Sequence, residues 1–211
     1  LPSFTQLGIA SLLPNEKLGF NGKDDTVYID DSSSKGTINR GKILKKSNPE
    51  SAYIDSESFL DFNRDNGREF AKAHQIIYIY HNEIDATGDK SASEHKVFDA
   101  VEDSFTTIEK IIKQIANFNG SNILITSDHG FLYQNTPTAD SEFCSVEKPS
   151  VSKRFNRRFI ISDDIKQTDC IDIHDASSLN IEGNEKISLA KSINKIRLQG
   201  GGHRFVHGGA S

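Results

Sequence analysis

The chain contains no methionine, even at its first position, which is Leu1. A natural full-length product starts with Met, so the sequence reads as a processed product or an excised fragment. Only two cysteines occur, Cys144 and Cys170. That is too few for a disulfide framework, and a reducing cytoplasm suits the composition best. No run approaches the roughly 20 apolar residues needed to span a bilayer. Leu1-Pro2-Ser3 is not a charged segment leading into an apolar one, so no secretory signal is legible and no membrane partner is expected. Nor is there an excess of positive charge: 25 Lys and Arg face 30 Asp and Glu, a net charge of −5. A global electrostatic pull toward nucleic acid or membrane is thereby excluded, though local basic patches are not. No internal repeat is evident.

What is present is a soluble-type composition over 211 residues, 35% hydrophobic and 26% charged, enough for one domain with a real core or a domain with a large insertion. Residues 5–13 predict a short helix that Pro14 stops, with Thr5 as N-cap or first-turn residue. A short strand is expected at 25–30, a basic helical stretch at 38–46 and a polar helix at 56–73. Ile76-Ile77-Tyr78-Ile79-Tyr80 is a continuous β-branched and aromatic run, the mark of a strand buried on both faces. A polar loop follows at 81–92. Between 93 and 118, Val97, Ala100, Val101, Phe105, Ile108, Ile111, Ile112 and Ile115 recur at three- and four-residue spacing, which predicts an amphipathic helix ended by Gly120. Asn122 to Thr126 predicts a second buried strand. Strand, helix, strand makes a βαβ unit and a mainly parallel sheet with flanking helices. Ligands in such sheets sit at the carboxyl ends of the strands, where both polar loops fall. The division expected is an α/β core over 1–134, a β-containing insertion or lid over 135–202, with strand candidates at 154–161 and 193–198, and a return to the core at 203–211 through Gly200-Gly201-Gly202.

Four groups carry candidate chemistry. Ser127-Asp128-His129-Gly130 ends the second strand; an Asp and a His there can each give a metal one ligand atom, and Gly130 allows a sharp turn beside them. Asp85 and Asp89 lie in the preceding loop around Gly88 and can reach one metal, though Asp, Gly and Thr are also ordinary turn residues. His207 stands before Gly208-Gly209. The Thr5 hydroxyl sits at a helix start, where the field favours negative charge; a capping threonine has the same placement. Singly, each is ambiguous.

Together, the order resembles that of the alkaline phosphatase superfamily, and most closely its PglZ branch, known from bacteriophage-exclusion (BREX) defence systems. The matching stretches are 1–14 (LPSFTQLGIASLLP), 78–89 (YIYHNEIDATGD), 126–133 (TSDHGFLY) and 204–209 (RFVHGG), spread over nearly the whole chain. The resemblance implies an alkaline-phosphatase-like α/β core with two divalent metal ions, zinc foremost. It implies Thr5 as the nucleophile, Asp128 and His129 as ligands of the metal that bears it, and Asp85 and His207 as ligands of the other. Two cations about 4 Å apart stabilise both the attacking and the leaving oxygen, and a metal-bound hydroxyl loses its proton readily. The function implied is a metal-dependent phosphoester hydrolase, a phosphatase or phosphodiesterase with nucleic acid among its candidate substrates, working in antiviral defence beside other defence proteins.

Two departures qualify this. Asp89 stands where many relatives have a His, and a carboxylate there favours Mn2+ or Mg2+ over zinc or does not ligate. The family's strand before the nucleophile helix, with its Asp, and a strand after the late His have no counterpart, so the core is expected to be incomplete at both ends and the fragment weakly active or inactive. A catalytically vestigial PglZ-like assembly module that binds other defence proteins is the competing expectation; a sulfatase or phosphate-group mutase is a third. The basic and aromatic run 153–158 suits nucleic-acid contacts but better suits a solvated edge strand. Cys170-Ile171-Asp172-Ile173-His174 offers two ligands, too few for a metal site.

Overall fold

A computed structural model describes residues 4–20, 24–136, 138–199 and 204–207. In chain order its elements are α1 (Thr5–Leu12), β1 (Leu18–Phe20), β2 (Val27–Ile29), β3 (Ser32–Ser33), α2 (Thr37–Ser47), β4 (Ser51–Asp55), α3 (Ser56–Leu60), α4 (Arg64–Ala73), β5 (Ile76–Tyr80), α5 (Glu83–Gly88), α6 (Val97–Asn117), β6 (Phe131–Tyr133), β7 (Phe143–Cys144), β8 (Arg154–Phe155), β9 (Phe159–Ser162), β10 (Ile171–Asp175), β11 (Ile181–Glu182), β12 (Lys186–Ala190), β13 (Lys195–Ile196) and β14 (Phe205–His207). The chain divides into two compact units, Leu1–Asn39 with Ser127–Ser211, and Arg40–Thr126. It is a mixed α/β protein.

In the 40–126 unit, β4 and β5 pair in parallel from Ser51↔Ile76 to Asp55↔Tyr80, with α3 and α4 as the crossover. The helix expected over 56–73 is in fact two, because 61–63 breaks it and each piece has its own cap. Asp55 accepts from the Ser58 amide at 2.8 Å, and Asn63 accepts from the Asn66 amide at 2.9 Å. The Ser58 amide and hydroxyl together hold the Asp55 carboxyl below the usual carboxylate range. The long helix α6 forms as its periodicity dictates, with Val97, Ala100 and Ile111 buried, although Phe105, placed on that face by spacing, is exposed. Its end is a Schellman motif. Asn119 takes the left-handed conformation (φ 67°), its amide bonds the Ala116 carbonyl, and the Gly120 amide reaches back to the Ile115 carbonyl at 2.9 Å. Phe59, Ile111 and Phe118 form the core, with Ile54, Phe62 and Ile79 against them.

Gly67 of α4 lies under the Phe118 ring, where an added Cβ would stand 2.0 Å from Cζ. In an exposed helix Gly→Ala stabilises by about 1 kcal/mol. Here overpacking opposes it, and Gly67→Ala is expected to destabilise by about 1–3 kcal/mol. A chemical denaturation midpoint no lower than wild type would contradict this.

The expected strand at 122–126 does not form. These residues pair with no other strand among the described residues, and Ile123, Leu124 and Ile125 are exposed, Leu124 by 89%. The parallel partner of β5 is β4, which the sequence reading passed over. Nor are the sheets mainly parallel. Apart from β4–β5, parallel pairing occurs at β1–β11 and β7–β13, while the other described pairs are antiparallel.

The other unit carries two four-stranded sheets, β11-β1-β2-β3 and β10-β12-β9-β8, with the pairs β14-β6 and β13-β7. Within 135–202 the described residues supply β7 to β13, and β11 completes the sheet begun by β1. Ile160, Ile165, Ile171, Ala190 and Ile196 build a core around Cys144. Cys144 and Cys170, too few for a framework, are nonetheless joined as a disulfide with Cα atoms 5.8 Å apart, because β7 and the segment entering β10 line this same core. Cys170 is therefore not available as a metal ligand beside His174. In the basic run, β8 is an edge strand as expected. Its neighbours are not a solvated face, however: Arg158 is fully buried and donates to the Ser192 and Asn194 carbonyls, while Lys153 and Arg154 pair with Glu185 and Asp25.

Candidate metal centre

Thr5 is the first residue of α1, after Phe4, whose backbone is extended and whose buried ring stacks on Phe159 at 5.2 Å. Phe4 occupies the N-cap position, so Thr5 is not the capping residue. Its Oγ1 lies 3.1 Å from His129 Nε2. The site thus opens at a helix N-terminus, whose partial positive charge favours an anion.

The geometry of His129 places a hydrogen on one of its ring nitrogens. Nδ1 lies 3.1 Å from the Gly130 carbonyl. A carbonyl only accepts, so Nδ1 carries a hydrogen; in the neutral ring Nε2 then presents its lone pair toward Thr5. The His129 amide donates to Asp128 Oδ1 at 3.1 Å, while Asp128 Oδ2 is 3.6 Å from Nε2. The His129 side chain is 3% exposed and that of Asp128 25%, so the imidazole is shielded while the carboxylate retains an open side. Hydroxyl, imidazole nitrogen and carboxylate converge at the start of α1.

Gly8, one turn along α1, lets this happen. A Cβ there would stand 2.2 Å from the Asp128 carbonyl oxygen, so the helix backbone presses on the turn that bears Asp128 and His129. Sequence reading missed Gly8; the available signal was a glycine inside a helix-forming run, which costs about 1 kcal/mol unless packing requires it. Gly130, by contrast, is not demanded by space or by a left-handed backbone: nothing lies within 4 Å of its would-be Cβ and its φ is not positive.

His207 ends β14, which runs antiparallel to β6 with His207 opposite Phe131, two residues beyond His129. Its side chain lies outside the described residues, as do Gly200 to His203 and Gly208-Gly209.

Asp85 and Asp89 belong to the 40–126 unit. The segment read as a loop contains α5, with Asp85 on its first turn and Asp89 as its C-cap residue; the Asp89 amide bonds the Asp85 carbonyl at 3.0 Å. Four residues apart, they occupy the same side of the helix. Both follow the carboxyl end of β5, where a parallel pair is expected to present its functional groups.

The chain belongs to the PglZ family: residues 1–211 match the BREX system PglZ alkaline phosphatase-like domain. It is 35% identical over 213 residues to the alkaline phosphatase-like protein BrxZ of Escherichia coli O9:H4 (strain HS), covering 99% of this chain and 24% of that protein. It is 37% identical over 213 residues to the alkaline phosphatase-like protein PglZ of Bacillus cereus (strain H3081.97), covering 100% of this chain and 25% of that protein. The chain thus spans about a quarter of the length of these relatives. No helix among the described residues is long and apolar enough to cross a membrane.

Proposed function

We propose that this chain is the phosphoester-hydrolysing domain of a phage-defence protein and works with two divalent metal ions. Thr5 is the nucleophile. Asp128 and His129 hold the ion that bears it, and Asp85 and His207 hold the other. Zinc suits the His and Asp donors best, while Asp89 beside Asp85 opens the second position to Mn2+ or Mg2+. The substrate is a phosphoester, with phosphodiesters and nucleic acid in that class, and other defence proteins are the partners.

The observation that carries this reading is the Thr5 Oγ1 to His129 Nε2 approach of 3.1 Å, with Nδ1 engaged by the Gly130 carbonyl. A capping threonine or a turn histidine has no need of it. The donor set fits a divalent ion: a carboxylate, an imidazole nitrogen with its lone pair presented and a hydroxyl stand together, and the second nitrogen of the imidazole is engaged as metal-binding histidines require. When bound, such ions polarise the phosphoryl oxygens and ease loss of the hydroxyl proton. The protein supplies the rest. The start of α1 favours negative charge at Thr5, the Gly130 carbonyl keeps His129 in one tautomer, and Gly8 sets the distance between helix and turn.

The test is metal content and hydrolysis in the full-length protein. Two transition-metal equivalents are expected, with cleavage of a chromogenic phosphodiester. Asp128→Asn is expected to lose one equivalent and at least about 100-fold in turnover. A full-length protein that holds no metal and binds its partners equally well as Asp128→Asn would instead be an assembly module with a vestigial centre.

A further inference from the structure

His81 follows β5 directly and takes no part in the chemistry above. Its ring is nevertheless held on both sides. The β4–β5 register ends at Asp55↔Tyr80, so the next residues of the two strands, Ser56 and His81, leave the sheet side by side. Ser56 Oγ lies 3.0 Å from His81 Nδ1. Across the ring, Nε2 lies 3.1 Å from Ser104 Oγ on α6 and 3.3 Å from Glu83 Oε2 on α5. Ser56 and Ser104 are both buried. A carboxylate only accepts, so Nε2 carries a hydrogen; in the neutral ring Nδ1 then accepts from the Ser56 hydroxyl. One imidazole therefore joins the start of α3, which follows β4 directly, the end of β5, the first turn of α5 and α6.

The two serines are buried and the His81 and Glu83 side chains partly exposed, 21% and 37%; a polar cluster closed off to this degree is costly unless satisfied and rigid once it is. Its location decides what the rigidity serves. His81 is separated from the start of α5 only by its N-cap residue Asn82, Asp85 follows four residues after it, and Glu83 lies between them on the same first turn. A ring packed for stability alone would be served by an apolar side chain of similar size, without three polar partners on three different elements.

We propose that His81 is a positioning residue: through Ser56, Ser104 and Glu83 it fixes the first turn of α5 and so sets the Asp85 carboxylate for a divalent cation. This rests on the reading of Asp85 as a ligand, and the experiment separates the two. The full-length protein is stripped of metal and titrated with Zn2+ against a chromophoric chelator; Co2+ loading then reports ligand geometry in the visible spectrum. Asp85→Asn is expected to abolish one of the two tight equivalents. His81→Ala is expected to weaken that same equivalent about 10-fold or more and to alter its Co2+ spectrum, without loss of helical circular dichroism. His81→Asn, whose amide oxygen can still accept from Ser56, is expected to recover part of that affinity.

If Asp85→Asn loses the equivalent while folded His81→Ala binds Zn2+ within twofold of wild type, the positioning role is wrong and the ligand reading stands. If Asp85→Asn binds like wild type, the ligand reading fails and the inference with it. Should His81→Ala not fold, Ser104→Ala, which removes one hydroxyl and leaves the ring, is judged by the same criterion: unchanged Zn2+ affinity and Co2+ spectrum overturn the proposal.

Discussion

Thr5→Ala in the full-length protein is expected to reduce phosphodiester hydrolysis by about four orders of magnitude or more, while metal content and melting temperature stay near wild type. The reasoning is local. The substitution deletes the Thr5 hydroxyl that lies 3.1 Å from His129 Nε2. It leaves the Asp128 carboxylate, the His129 tautomer and the helix field in place. Alanine at the first turn of α1 is at least as good a helix former as threonine, so the fold has no reason to suffer. Thr5→Ser keeps the hydroxyl and is expected to remain within about tenfold of wild type. The pair of variants separates a nucleophile from a packing residue. Steady-state assays of a chromogenic diester decide it, and an alanine variant within tenfold of wild type removes Thr5 from the chemistry.

Gly8→Ala is expected to be nearly as damaging through a different route. The new Cβ would lie 2.2 Å from the Asp128 carbonyl oxygen and 2.8 Å from its carbonyl carbon. These are backbone atoms, so no side chain can swing aside. Either α1 or the Asp-His turn must retreat, and a misplacement of about 1 Å costs about 100-fold in rate. The expected result is a fall in kcat/KM of about that size, with a melting temperature lowered by a few degrees. Gly41 of α2 is the control, since nothing lies within 4 Å of its would-be Cβ. Gly41→Ala is expected to leave the melting temperature unchanged or raise it. Equal behaviour of the two variants would mean that α1 does not press on the site.

The motifs were legible because their signals are local. The helical spacing of apolar residues over 5–13, stopped by Pro14, places Thr5 at a helix start, and about six turns of periodicity specify α6. What escaped was what depends on partners. Asn122 to Thr126 has strand composition, but a strand exists only when a neighbour accepts its backbone hydrogen bonds, and none does among the described residues. Ser51 to Asp55 is polar at both ends and hid a true strand, β4, that its register with β5 secures. The joining of Cys144 to Cys170 across 26 residues and the burial of Arg158 follow from how short β-strands stack, which composition does not encode. Asp85 was found by motif but placed in a loop, because six residues of helix are too short to show a period. His81 looked like the first residue of a polar loop, since its three partners lie 2, 23 and 25 residues away.

The Thr5–His129 approach joins positions 124 residues apart. Closing a flexible loop of that length costs about 4 kcal/mol of chain entropy beyond the constant term, whereas one hydrogen bond returns about 1 kcal/mol. The pair therefore cannot hold the two segments together; the packing of Phe4 on Phe159 and of α1 on the Asp128 turn must do so. It follows that the Thr5 and His129 side chains are carried by the topology without contributing to it, so evolution or an engineer can change them with little effect on folding. Conversely, any loosening of that distant closure would separate hydroxyl from imidazole while every helix remained intact.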